Sequence, residues 1–97
     1  MEVIELITQY TEICLVCGKR KTDTHHLINA SDRDKATDDD LLIPLCHSCH
    51  MRLHDDALAM SFSKMLGQIV WEKEYYRKGG NKDAREQFRS RYGKSYL

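Results

Sequence analysis

Two Cys-x-x-Cys pairs, Cys14/Cys17 in "CLVCG" and Cys46/Cys49 in "LCHSC", stand with 28 residues between them. Each is a compact turn that presents two thiolates to one ion. Four thiolates make the tetrahedral set that zinc prefers, and closed sites of this kind are structural. The fold must therefore bring the turn near residue 14 against the turn near residue 46. A chain of 97 residues has room for one domain with a modest core, so a bound zinc contributes folding energy directly. Three other readings stand beside it. A thioredoxin-like redox pair needs one such motif at a helix start in a βαβ context, and this sequence has two motifs and no βαβ pattern. Ordinary buried thiols are the second. Disulfides, with three possible pairings, need an oxidising compartment. "MEVIELITQY" has acids where a signal peptide needs positive charge, which points to the reducing cytoplasm.

The periodicity predicts a short helix over 2–12, with Val3, Ile4, Ile7, Tyr10 and Ile13 as its apolar positions. "TDTHHLI" reads as a strand, "NASDRDKATDDD" as a polar loop, and "LLIPLC" as a second strand. Pro44 places that second strand at an edge. A helix should start near Cys49 or His50. The longest periodic segment, 57–78, carries Leu58, Phe62, Met65, Leu66, Ile69, Val70 and Tyr76 as a stripe expected to face the core. Asp55 or Asp56 caps it or marks a kink, and Gly79-Gly80 stops it. A last short helix opens at Asn81 or Lys82 and ends at Gly93, with Ala84, Phe88 and Tyr92 on one side. No apolar run approaches the ~18 residues of a spanning helix.

Five histidines crowd the cysteine pairs: His25, His26, His47, His50 and His54. His50 and His54 are four apart on an expected helix and share a face, a spacing at which two imidazoles grip one cation. A competing set, Cys46, Cys49, His50 and His54, would leave Cys14 and Cys17 free. His25 and His26 are neighbours on an expected strand, where side chains alternate faces. One can ligate a metal while the other faces a substrate. That division suits metal-assisted hydrolysis, in which a neutral imidazole takes the proton from attacking water. His47 has no partner in this pattern and reads as a surface residue.

Lys plus Arg and Asp plus Glu are both 15, so net charge is zero and no overall field argues for nucleic acid. The distribution is uneven. Residues 1–40 hold nine acids and five bases, and residues 77–97 hold seven bases and two acids. The basic end could face a polyanion or be a solvated helix face. Tyr75, Tyr76, Tyr92 and Tyr96, interleaved with it, read as packing residues.

The order "CLVCG", "THH", "DDDLLIPLC", "HSCH" and "RLH" resembles the zinc-containing branch of the HNH nucleases, particularly small phage-borne members, over the segment from Cys14 to His54. "LGQIVWEKEYY" and "YGKSYL" are similar to segments of small phage HNH-like proteins. The resemblance implies an α+β, ββα-metal (HNH) fold stabilised by a four-cysteine zinc site, with additional N- and C-terminal helices. It implies a single domain over 1–97, with its core at 14–54 and a helical extension at 57–97. By the family pattern Cys14, Cys17, Cys46 and Cys49 hold structural Zn²⁺. His25, His50 and His54 would hold a catalytic divalent ion such as Mg²⁺, Mn²⁺, Ni²⁺ or Zn²⁺, and His26 would be the general base. Asp40 stands where the family has an Asn before the second strand. A carboxylate can accept a bond from an imidazole N–H and so orient the base, but it cannot donate as an amide does. The glycine-rich bend of many members is missing.

The expected activity is hydrolysis of phosphodiester bonds in DNA by an endonuclease, with Arg33, Lys35, Arg52, Arg85 and Arg89 as phosphate contacts that give affinity without base specificity. A phage or host nucleic-acid-processing protein is an expected partner, and a membrane is not. The rival is a non-catalytic zinc module that binds DNA or a protein. A third reading is an interaction protein that uses the 57–78 helix as its dimer face.

Overall fold

The computed structural model describes residues 6–97. Strand β1 (Asp23–His26) is followed by a 3₁₀ turn (Ala30–Asp32), helix α1 (Arg33–Asp38) and strand β2 (Leu42–Leu45). Helices α2 (His47–His54), α3 (Ala57–Arg77) and α4 (Ala84–Tyr92) complete an α+β arrangement around one two-stranded antiparallel sheet. The helix expected over 2–12 lies partly outside the described residues, and residues 6–12 hold turns and bends instead of an α-helix.

The two strands fall where the sequence predicts them. Their register pairs Asp23 with Leu45, Thr24 with Pro44, His25 with Ile43 and His26 with Leu42. In a two-stranded sheet both strands are edges, where a proline without an N–H is tolerated. The Pro44 carbonyl is used on its outer side by the Leu15 N–H at 2.9 Å. That bond ties the first cysteine turn to β2. Within the turn, Ile13 bridges Arg20 and Gly18 takes a left-handed conformation (φ 78°) that favours glycine.

The polar loop expected over 29–40 is a correction: it contains the 3₁₀ turn and α1. Only Ala36 of α1 is buried, so the helix forms around one small apolar contact, too weak a pattern to show as periodicity. Helix α2 begins at His47, two to three residues before the expected start, because the Cys46 sulfur serves as its N-cap and accepts the Cys49 N–H. Asp56 settles the next boundary. Its carboxylate accepts from the Leu58 and Ala59 N–H groups at 3.0 and 3.1 Å, so α3 is a fresh helix. Helix α4 is capped by Asp83, ends on left-handed Gly93, and buries Ala84, Phe88 and Tyr92 as expected.

The apolar stripe of α3 is the second correction. Val70 packs partly against the core and Met65 is half-buried, but Leu58, Phe62, Leu66, Ile69 and Tyr76 are exposed, and the fully buried positions are Ser63, Gly67 and Gln68. The buried arc is displaced about one residue, roughly 100°, from the stripe. Each inward residue has its own reason. A Cβ on Gly67 would stand 3.0 Å from Ile28 Cγ1 and 3.1 Å from Leu27 Cβ, so its absence lets the helix lie against residues 27 and 28. Gln68 donates to Glu72 and Ser95 and accepts the Tyr96 N–H at 2.6 Å. Close approach and polar satisfaction thus outweigh burial of the stripe.

The core joins Cys14, Leu27, Ile28, Ala36, Leu41, Ile43, Leu45, Cys49, Phe88 and Tyr92. Asp39, just after α1, binds α3 and α4 together: its Oδ2 accepts from Trp71 Nε1 at 3.0 Å, Arg91 Nε at 2.6 Å and Tyr92 OH at 2.6 Å. No described helix is long and apolar enough to cross a membrane. Gly67→Val is expected to destabilise the protein by about 1–3 kcal/mol, because the side chain would enter packed space. Chemical denaturation measures it, and an unchanged midpoint would contradict the close approach of α3.

Candidate metal centres

The bond from Leu15 to Pro44 and the N-cap role of Cys46 bring both cysteine turns to one end of the sheet. The four Sγ atoms lie within 4.8 Å of one another. Cys17 and Cys46 Sγ are 3.7 Å apart, far beyond a disulfide bond of ~2.05 Å. The edge of a zinc tetrahedron with ~2.3 Å bonds is about 3.8 Å. The four thiols could thus hold a metal such as zinc, and the donor set fits one. Their acidities diverge, as expected when four sulfurs crowd together. Burial pushes the Cys14 thiol up, but the N–H groups of Cys17, Cys46 and Val16 prevail and bring it down to about 6. The bond to Cys46, together with burial, pushes Cys49 up to about 12. A dication removes that conflict, since it favours all four thiolates.

A second cluster lies where α2 crosses β1. One ring nitrogen from each of His25, His50 and His54 falls within 4.8 Å of the others. The His50 and His54 Nε2 atoms are 3.1 Å apart. Nitrogens sharing one ion at ~2.1 Å stand about 3.0 Å apart in an octahedral shell and about 3.4 Å apart in a tetrahedral one, so His50 and His54 stand at the spacing of two ligands on one ion, with His25 near enough to be a third. The competing set of Cys46, Cys49, His50 and His54 is not what the fold assembles, because the cysteines and histidines of α2 divide between two clusters.

The surroundings fix which nitrogen of His50 and of His25 is bare. Asp23 Oδ2 accepts from His50 Nδ1 at 2.8 Å and from His47 Nδ1 at 3.0 Å. Those bonds, from His50 first and His47 second, hold the Asp23 carboxyl down at about 2. His50 therefore keeps its proton on Nδ1 and offers Nε2. Ser63 Oγ donates to the Leu27 carbonyl at 2.9 Å and lies 2.9 Å from His25 Nε2. With its only proton committed, the hydroxyl accepts from Nε2–H and leaves Nδ1 of His25 bare. Such outer partners orient metal-binding imidazoles. Burial lowers the His25 pKa to about 4, helped by the closeness of the other imidazoles, His50, His54 and His26, which disfavours a positive charge on this ring, so His25 is neutral at pH 7.

His26 lines the same cavity, of about 330 Å³, with Asn29, Ala30, Arg33 and the three clustered histidines. Burial first, and Arg33 second, lower its pKa, which keeps it neutral. Its Nε2 lies 2.9 Å from Thr37 Oγ1. Asp40, expected to orient His26, does not line this cavity. It sits in a left-handed conformation (φ 61°), and its charge neighbours are Lys78, Asp39 and Glu74. The orienting hydroxyl comes from the segment read as a loop. Ala30 at the cavity rim is also left-handed (φ 59°), a strain of the kind found at functional sites.

The expected phosphate contacts divide. Arg33 lies in the cavity wall and Arg52 is exposed on α2. Lys35 donates to the Arg91 carbonyl at 2.9 Å and pairs with Asp32. Arg85 pairs with Glu72, and Arg89 with Glu86. The basic end is thus largely occupied by intramolecular pairs. Asp23, Ser63 and Thr37 were missed by sequence reasoning. Only Asp23 carried a signal, since it precedes His25 by two residues, the strand period, and so shares the His25 face. His47, expected to be a bystander, is exposed but shares the Asp23 carboxylate with His50.

Residues 7–76 match the family described as "Protein of unknown function (DUF968)". No curated protein and no solved structure matches the chain.

Two outcomes follow from this geometry. Cys46→Ser should abolish stoichiometric zinc binding and lower the melting temperature by ~10 °C or more, a loss of ~2 kcal/mol or more for a domain of this size. Unchanged zinc content by elemental analysis would remove Cys46 from the site. The second concerns pH in protein free of metal at the histidines. The unfolded chain protonates His25 near its ordinary 6.5, and the folded chain only near 4. The stability contributed by neutral His25 is complete above pH 6.5 and is lost as pH falls toward 4, by about 3 kcal/mol. Denaturation profiles of the parent and His25→Gln should diverge over that window; parallel profiles would refute the assignment.

Proposed function

We propose, for a chain that belongs to the DUF968 family and inherits no activity from that description, a metal-dependent endonuclease that hydrolyses phosphodiester bonds in DNA. The observation that carries this reading is the convergence of His25, His50 and His54 beside a fourth, neutral imidazole, His26, in one open cavity. The order of ligands along the chain, and their setting of two antiparallel strands crossed by α2, support the resemblance to zinc-containing HNH nucleases and their ββα-metal fold. The cysteine cluster would then hold Zn²⁺ as a structural ion.

His25, His50 and His54 would hold the catalytic ion, which when bound supplies charge stabilisation at the scissile phosphate and its leaving oxygen. Three imidazoles and no carboxylate favour Zn²⁺ or Ni²⁺ over Mg²⁺. His26 takes the proton from the attacking water. Arg33, on the cavity wall, positions the phosphate. A second reading rests on the exposed Leu58, Phe62, Leu66 and Ile69 of α3, an apolar strip of the kind that marks a protein contact. It makes the domain an interaction module and is compatible with catalysis.

His26→Ala is expected to reduce plasmid nicking by about 100-fold or more, with zinc content and melting temperature unchanged. The assay adds Mg²⁺, Mn²⁺, Ni²⁺ or Zn²⁺ to protein already loaded with zinc at the cysteines. Tight binding of zinc alone, with no cleavage under any ion, would replace this reading with the non-catalytic zinc module.

A further inference from the structure

We propose that Thr37 is the positioning residue for His26: it holds the ring in the tautomer protonated on Nε2, so that Nδ1 is the atom that accepts the proton. The inference rests on the reading of His26 as the base. Its ground is the bonding of one hydroxyl. Thr37 Oγ1 lies 3.2 Å from the Arg33 carbonyl oxygen, four residues back in α1, and 2.9 Å from His26 Nε2. A carbonyl can only accept, so when both bonds form together the hydroxyl's single proton goes to Arg33. The hydroxyl oxygen must then accept from the ring, which requires hydrogen on Nε2. A neutral imidazole has one such hydrogen, so Nδ1 carries the lone pair.

The geometry is stiff at both ends. The His26 backbone is fixed in the ladder opposite Leu42, which leaves ring rotation as the main freedom. Thr37 is branched at Cβ, and such side chains are restricted at χ1. Its bond to the i−4 carbonyl is a recognised local preference of threonine in helices. The orienting role expected of Asp40 is thus filled from α1 by a neutral group. A neutral acceptor leaves the ring's proton where it is, whereas a carboxylate would also raise the ring's affinity for a second proton.

In the hydrolytic step the water's O–H bond breaks and its proton passes to Nδ1. The water oxygen bonds phosphorus, and the electron pair of the breaking P–O bond goes to the leaving oxygen. His26 becomes an imidazolium that still donates from Nε2 to Thr37.

The test follows the tautomer and the rate separately, on full-length ¹⁵N-labelled protein with zinc at the cysteines. Long-range ¹H–¹⁵N correlation should show His26 of the parent protonated on Nε2. Thr37→Val keeps the shape and removes the hydroxyl; it should populate both tautomers and slow nicking by about 10-fold or more. Thr37→Ser should restore the tautomer and most of the rate. A parent His26 protonated on Nδ1 would overturn the inference, and so would an unchanged tautomer in Thr37→Val, whatever its rate. A parent that shows the Nε2–H tautomer but cleaves nothing would support Thr37's hold on the ring while refuting the nuclease reading. Should Thr37→Val fail to fold, the parent and Thr37→Ser spectra still decide the tautomer.

Discussion

The ladder between Asp23–His26 and Leu42–Leu45 is too short to stand alone, since an isolated two-stranded pair is marginal in water. Its register nevertheless decides where each reactive side chain falls. A slip of one residue would send His25 to the opposite face and away from α2. The ladder is held at both ends. At one end Leu15 bonds the Pro44 carbonyl and the four cysteines gather. At the other, Leu27 bonds the Leu41 carbonyl at 3.0 Å and continues the pairing into the core. A metal at the cysteines would therefore act on the histidines without touching them, by fixing the register that aims them.

Electrostatics then divides the labour among chemically similar groups. The cysteines conflict with one another until a cation is present, whereas His25 and His26 avoid conflict because burial lowers their pKa values. Burial keeps His25 uncharged, and Asp23 carries the negative charge that His50 and His47 share. Three acceptors of two kinds set the ring protons: a carboxylate for His50, and a serine and a threonine hydroxyl for His25 and His26. In both hydroxyl cases a main-chain carbonyl takes the hydroxyl proton, which turns an ambivalent group into an obligate acceptor.

Much of this was legible where the sequence signal is local. Cysteine spacing, the i, i+4 histidines, the Asp56 and Gly93 boundaries and the buried face of α4 depend on residues within one or two turns of each other. The rest depends on distant partners. Ser63 meets His25 across 38 residues and Asp39 meets Tyr92 across 53, separations that leave no local pattern. The α3 stripe misled for a related reason. Hydrophobic periodicity assumes that apolar residues win the inward positions, and here Ser63, Gly67 and Gln68 hold them through contacts invisible in the helix's own sequence. Charge misled as well: Arg85 looks free in a basic run, yet it meets Glu72 once α3 and α4 pack, and Arg89 pairs with Glu86 three residues back in its own helix.

Those inward polar positions connect the fold to the candidate chemistry. Gly67 and Ser63 are one helical turn apart and share a face. Without a Cβ at Gly67, α3 comes to rest on Leu27 and Ile28. That brings Ser63 within 2.9 Å of both the Leu27 carbonyl and His25 Nε2. A larger residue at 67 would push the helix outward and lengthen those two bonds first. His25 would lose the acceptor that fixes its tautomer while its place in the ladder remained. An apolar stripe turned to solvent is then the counterpart of a histidine held in a defined state: the helix is rotated for Ser63, and Leu58, Phe62 and Leu66 face outward as a consequence.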